Sequence, residues 1–119
     1  MDFELSEDQV LLQESVTRFV ADNYSFEQRR KLVDTDQGFS DKQWSQFAEL
    51  GWLGMPFAED VGGYGGTPVE TMVVLEEFGK GLVAEPYIST IVLGGGALVH
   101  GGTAAQQQEL LPQVAEGNL

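Results

Sequence analysis

No cysteine occurs in this chain, and beyond Lys80 there is no lysine or arginine. The first absence removes disulfides, thiolate nucleophiles and Cys-ligated metal sites, and it points to a cytoplasmic setting where oxidative staples are not needed. The second leaves the C-terminal third without a cation. Six basic residues stand against 19 acidic ones, giving a formal net charge of −13. Nucleic acid and anionic membrane surfaces would be repelled by such a chain, and nothing here suits it to hold nucleotide phosphates alone. Long apolar runs are missing too, so a soluble protein without membrane insertion is expected. The opening Met1-Asp-Phe-Glu-Leu is acidic where targeting segments are basic. With one histidine, His100, and no cysteine, a structural zinc site is excluded, and the imidazole is read as a helix-end cap or dipole partner.

What is present is helix punctuation. At 119 residues and 42% hydrophobic, the chain can form one domain with a real core. Five Ser/Thr-x-x-Gln/Glu boxes mark helix starts: Ser6 with Gln9, Ser25 with Gln28, Ser40 with Gln43, Thr67 with Glu70, and Thr103 with Gln106. In each, the hydroxyl accepts a first-turn N–H while the longer side chain bonds back to the cap.

The spacing predicts helices over about Glu7–Asp22 and Phe26–Val33, and a third after Ser40 that buries Trp44, Phe47 and Leu50 and stops at Gly51. A fourth opens at Pro68, where a missing N–H costs nothing, and ends at Gly79 or Gly81. A fifth runs from Pro86 to about His100, and a sixth follows Thr103 with Pro112 bending it. No strand pattern competes. The expected fold is all-α, about six helices in an irregular orthogonal bundle spanning 1–119.

The stretch Leu50-Gly-Trp-Leu-Gly-Met-Pro-Phe-Ala-Glu-Asp-Val-Gly-Gly-Tyr-Gly-Gly-Thr-Pro-Val-Glu carries the most information. Together with Glu76-Glu77-Phe78-Gly79 through Glu85-Pro86-Tyr87, it resembles the N-terminal helical domain of flavin-dependent acyl-CoA dehydrogenases. The opening Phe3-Glu-Leu-Ser-Glu-Asp-Gln and the closing Gln107-Gln-Glu-Leu-Leu-Pro-Gln-Val-Ala-Glu-Gly extend the likeness over essentially the whole chain. Gly-Leu-Val-Ala-Glu-Pro-Tyr at 81 to 87 is similar to small subunits of pimeloyl-CoA-type dehydrogenases.

The resemblance implies an enzyme of three domains, in which FAD is held by a middle β-domain and a C-terminal helical bundle. A carboxylate takes the acyl α-proton while the β-carbon gives hydride to the flavin, and an electron-transferring flavoprotein accepts the electrons. It also implies a homo- or hetero-oligomer. Leu119 falls about where the middle domain should begin, so no catalytic or FAD-binding residue is expected here and the chain alone should be inactive.

The same resemblance places the fifth helix beside the fatty-acyl pocket. Helical spacing puts Glu85, Ser89, Val92, Leu93 and Gly96 on roughly one face, and these are the candidate substrate-binding residues, with Ser89 and Leu93 foremost. Glu85 could instead serve the helix dipole. Gly94-Gly95-Gly96 costs a helix roughly 2–3 kcal/mol against alanine. It therefore signals either close packing, a helix break, or room for an acyl chain.

Other motifs read as structure. The Gly62–Gly66 turn lacks the Lys-Ser/Thr of a phosphate loop and sits beside Glu59 and Asp60, so positive φ and close backbone approach explain it better than an anion. Of Glu76 and Glu77, one should be solvated and the other paired with Lys80. Arg29-Arg30-Lys31 reads as a solvated face or subunit contact. Trp44, Phe47, Trp52, Phe57 and Phe78 read as core, some of them forming an apolar surface for neighbouring domains. Two alternatives stand beside the dehydrogenase reading: a stand-alone, non-catalytic module that binds a partner subunit, and the same domain in an acyl-CoA oxidase or flavin monooxygenase.

Overall fold

A computed structural model describes residues 2–119. Among them all regular structure is helical: α1 (Glu7–Asn23), α2 (Phe26–Val33), α3 (Asp41–Glu49), a 3-10 turn (Glu59–Val61), α4 (Pro68–Gly81), a π-helical segment (Ile88–Gly95), α5 (Gly96–Gly101) and α6 (Ala104–Ala115). The all-α expectation holds, and the capping boxes account for the starts of α1 to α4 and α6, whereas the π-helix and α5 begin without a side-chain cap. Ser6, Ser25, Thr67 and Thr103 each complete the reciprocal box with the residue three positions on. A cap of this kind stabilises a helix by about 1 kcal/mol.

The third box closes by half. Ser40 Oγ accepts the Gln43 N–H at 3.2 Å, but the Gln43 amide donates to Asn23 Oδ1 at 3.4 Å instead of reaching back. The Ser40 N–H goes to Glu85 Oε2 at 3.0 Å. A carboxylate is a stronger acceptor than an amide oxygen, and it arrives from 45 residues downstream. Local pattern could not show it.

α1 and α4 pack side by side and form the spine of the bundle. Gly81 permits the approach, because a Cβ there would fall 2.1 Å from Val20 Cγ1. On the same seam the Thr17 hydroxyl donates to Glu77 Oε2 at 2.9 Å, and Lys80 Nζ donates to Glu77 Oε1 at 2.7 Å. The core is aromatic and centres on Phe47. Its ring stacks on Phe78 at 4.9 Å and meets Phe19 and Trp52 at 5.5 Å each. Trp44, Phe47, Trp52, Phe57 and Phe78 are all buried, as the core reading expected, and none of them is left to form an apolar surface for neighbouring domains. Tyr87 joins them and donates its hydroxyl to the Trp52 carbonyl at 2.8 Å.

Two expectations are corrected. Leu50 is not core: it stands at the C-cap of α3, 48% exposed, just before Gly51 turns the chain at φ +82°. And the fifth helix is not one α-helix. It winds as a π-helix from Ile88 and tightens into α5 only at Gly96. The glycine run spans this change of winding. Gly95 also lies against Phe57, where a Cβ would come within 2.4 Å of Cζ.

Candidate functional site: an apolar groove between α4 and the π-helix

Between Lys80 and Glu109 the sequence carries no aspartate, lysine or arginine, only one glutamate, Glu85, and the histidine His100. On a chain of −13 that is a segregation of charge. This charge-poor stretch folds so that α4 (Leu75, Gly79), the connector after it (Leu82, Val83, Glu85) and the π-helix (Ser89, Leu93) wall a groove of about 510 Å³. Of the candidate residues, Glu85, Ser89 and Leu93 are brought together here.

Val92 and Gly96 are not with them. They line a second groove of about 390 Å³ with Phe57, Thr71, Ile91 and His100. The single helical face expected for all five residues is therefore split in two, because the π-helix does not keep the 3.6-residue period on which that face rests. The three glycines also part company. Gly95 packs on Phe57, whereas a Cβ at Gly96 would meet nothing within 4 Å.

Glu85 is 5% exposed, and its Oε1 is buried without a partner. Burial pushes its carboxyl above the usual range, opposed by the Ser40 N–H. It does serve a helix dipole, at the N-terminus of α3 and not of its own helix. The Ser89 hydroxyl donates to the Pro86 carbonyl at 3.2 Å, while Leu93 is exposed. Sequence reasoning missed Arg29, whose Nε donates to the Leu82 carbonyl at 2.7 Å and ties α2 to the end of α4. No local spacing could have signalled a bond between residues 53 apart.

The glycine-rich turn has no donors to offer an anion. The N–H groups of Gly62, Gly63, Tyr64, Gly65 and Gly66 go to the carbonyls of Glu59, Ala58, Gly54, Phe57 and Met55. Gly62 and Gly65 take positive φ, as expected. With these donors consumed and Glu59 and Asp60 beside it, this turn does not fit the pyrophosphate of FAD.

Glu77 is 3% exposed, and the Lys80 ammonium, with help from the Thr17 hydroxyl, holds its carboxyl below the usual range despite burial. Its neighbour Glu76 is exposed, 4.0 Å from Lys80. This is the division expected of the pair.

The N-terminal domain of acyl-CoA dehydrogenases matches residues 6–118, and the chain belongs to that family. It is similar to a probable acyl-CoA dehydrogenase, YngJ, of Bacillus subtilis: 32% identical over 119 residues, covering 98% of this chain and 31% of that one. Among solved structures, the ChsE4-ChsE5 complex from Mycobacterium tuberculosis superposes with a TM-score of 0.89 at 30% identity, over 99% of this chain and 32% of that one. A variant of the Tcur3481-Tcur3483 steroid ACAD gives 0.85 at 29% identity, over 93% and 30%. The chain thus spans about a third of the length of its relatives, whose family is typically FAD-dependent. No helix among the described residues is long and apolar enough to cross a membrane.

Proposed function

We propose that this chain is the N-terminal helical domain of an FAD-dependent acyl-CoA dehydrogenase, acting in the α,β-dehydrogenation of acyl-CoA thioesters. In this reading the groove of Glu85, Ser89 and Leu93 forms one wall of the acyl pocket. The observation that carries it is the groove itself, apolar apart from the buried Glu85 carboxyl, on a strongly acidic chain. An alkyl chain gains about 0.8 kcal/mol per methylene buried against such a surface, whereas the phosphates of coenzyme A would be repelled by the rest of the molecule. FAD, the coenzyme A phosphates and the catalytic base are then supplied by other domains or subunits, so this chain alone is inactive. Electrons pass on to an electron-transferring flavoprotein.

The test is to isolate the flavoprotein that contains this chain and follow flavin bleaching by acyl-CoA. L93W should fill the groove and lower kcat/KM for octanoyl-CoA by roughly tenfold or more, with butyryl-CoA little changed. A flavin that no acyl-CoA reduces would overturn the dehydrogenase reading. Equal effects of L93W on the two substrates would overturn the assignment of the groove.

A second reading, a non-catalytic module that binds a partner subunit, draws support from the two-component ChsE4-ChsE5 match. It predicts that the chain co-purifies with its partner in a complex free of flavin.

A further inference from the structure

The connector between α4 and the π-helix holds the one non-glycine residue of the described chain at positive φ, Leu82 at +52°. Left-handed backbone is disfavoured for a residue with a Cβ, and glycine is the usual occupant at a helix C-terminus. Leucine here gains little from core burial, because its side chain is 61% exposed on the rim of the groove. Two long-range bonds hold the connector in place. Arg29 Nε donates to the Leu82 carbonyl at 2.7 Å, and Glu85 Oε2 accepts the Ser40 N–H at 3.0 Å. An energetically disfavoured residue fixed at both ends and presenting an apolar side chain to a groove is the pattern from which a functional role is inferred.

We infer that Leu82 is a specificity-determining residue for the apolar end of the ligand, and that Arg29 is the positioning residue that presents it. This rests on the acyl-wall reading above. An acyl chain long enough to reach the rim covers the exposed Leu82 methyls, and one that stops short does not. Longer chains are thereby favoured, by about fourfold for each methylene brought into contact. Arg29 acts only through the carbonyl that it anchors.

The experiment uses the flavoprotein that contains this chain, with 13C-labelled Leu, Val and Ile methyls, titrated with butanoyl, octanoyl and dodecanoyl thioesters of N-acetylcysteamine. In the wild type, the longer probes should shift the methyls of Leu75, Leu82 and Leu93 and bind more tightly than the butanoyl probe. L82G removes the side chain and relieves the backbone at once, so it folds. It should lose most of the preference for dodecanoyl over octanoyl while leaving butanoyl binding unchanged. L82A, which keeps the strain, should show the same loss of preference at lower thermal stability than L82G. R29A should lose the preference with Leu82 still present, and R29K should restore part of it.

Unchanged preferences in L82G and R29A, with groove methyls still shifting, would overturn the assignment of Leu82 and leave the acyl wall standing. No groove shift with any thioester would overturn the acyl wall, and this assignment with it.

Discussion

Gly95 and Gly96 are neighbours in sequence with opposite surroundings, and alanine at each should move stability in opposite directions. Both have helical backbone, φ and ψ of −61° and −42° at Gly95 and −60° and −41° at Gly96, so neither substitution strains the chain. An added Cβ at Gly95 falls 2.4 Å from Phe57 Cζ and 2.7 Å from Cε1. Phe57 is 2% exposed and packed in the core, so its ring cannot swing away into solvent. Overpacking costs about 1–3 kcal/mol, and approaches this short belong in its upper part, about 2–3 kcal/mol, against a gain of about 0.8–1 kcal/mol for replacing a helical glycine. The net expectation for G95A is a loss of about 1–2 kcal/mol.

At Gly96 the same gain comes without a clash, because nothing lies within 4 Å, so G96A should stabilise by about 0.5–1 kcal/mol. The two variants should then differ by roughly 2–3 kcal/mol, or on the order of 10 °C in Tm for a domain this small. Urea unfolding followed by tryptophan fluorescence measures the gap, since Trp52 and Trp44 both sit in the core. G95A as stable as wild type, or G96A less stable, would refute the packing account of the glycine run.

Two further expectations concern pH. Burial raises the Glu85 carboxyl pKa, so its contribution to stability is present below the unfolded carboxylate range and is lost as pH rises through the folded value. Relative to wild type, E85Q, which can still accept the Ser40 N–H, should therefore gain stability as pH is raised from 4 to 8. A urea midpoint difference that stays flat across that range would sink the argument. Glu77 behaves with the opposite sign: its carboxyl is held low by Lys80, so its contribution is present above the unfolded value and disappears as pH falls through the folded one. E77Q should cost about 1 kcal/mol at pH 7, kept small because the Lys80 head is solvated, and should approach wild type at acid pH.

Helix starts were legible because a capping box is written within four residues, and four of the five closed as the sequence implied. Trp44, Phe47 and Phe78 declared themselves through periodicity. What escaped the sequence was set by partners far along the chain. Ser40 lost its reciprocal cap to Glu85, Arg29 left its basic cluster for the Leu82 carbonyl, and Leu50 fell outside the core as the chain turned at Gly51. The candidate site was half legible for a related reason. An α-helical period was assumed across Pro86–His100, and the π winding of Ile88–Gly95 assigned Glu85, Ser89 and Leu93 to one groove and Val92 and Gly96 to another.

The pairing of α1 with α4 also sets a timetable for synthesis. Val16 and Val20 belong to a helix that leaves the ribosome early, yet they pack with Val74 and Phe78 in one core, and Thr17 waits for Glu77, 60 residues later. At roughly 5–20 residues per second, that is a delay of several seconds during which the apolar face of α1 has no native cover. Its local cap lets the 17-residue α1 sample its helix within about a microsecond. Closing the long loop to α4 cannot begin until the spine's second half exists. A nascent chain should accordingly be held by chaperones until α4 and then the segment through Leu111 and Val114, which completes the same core, have emerged.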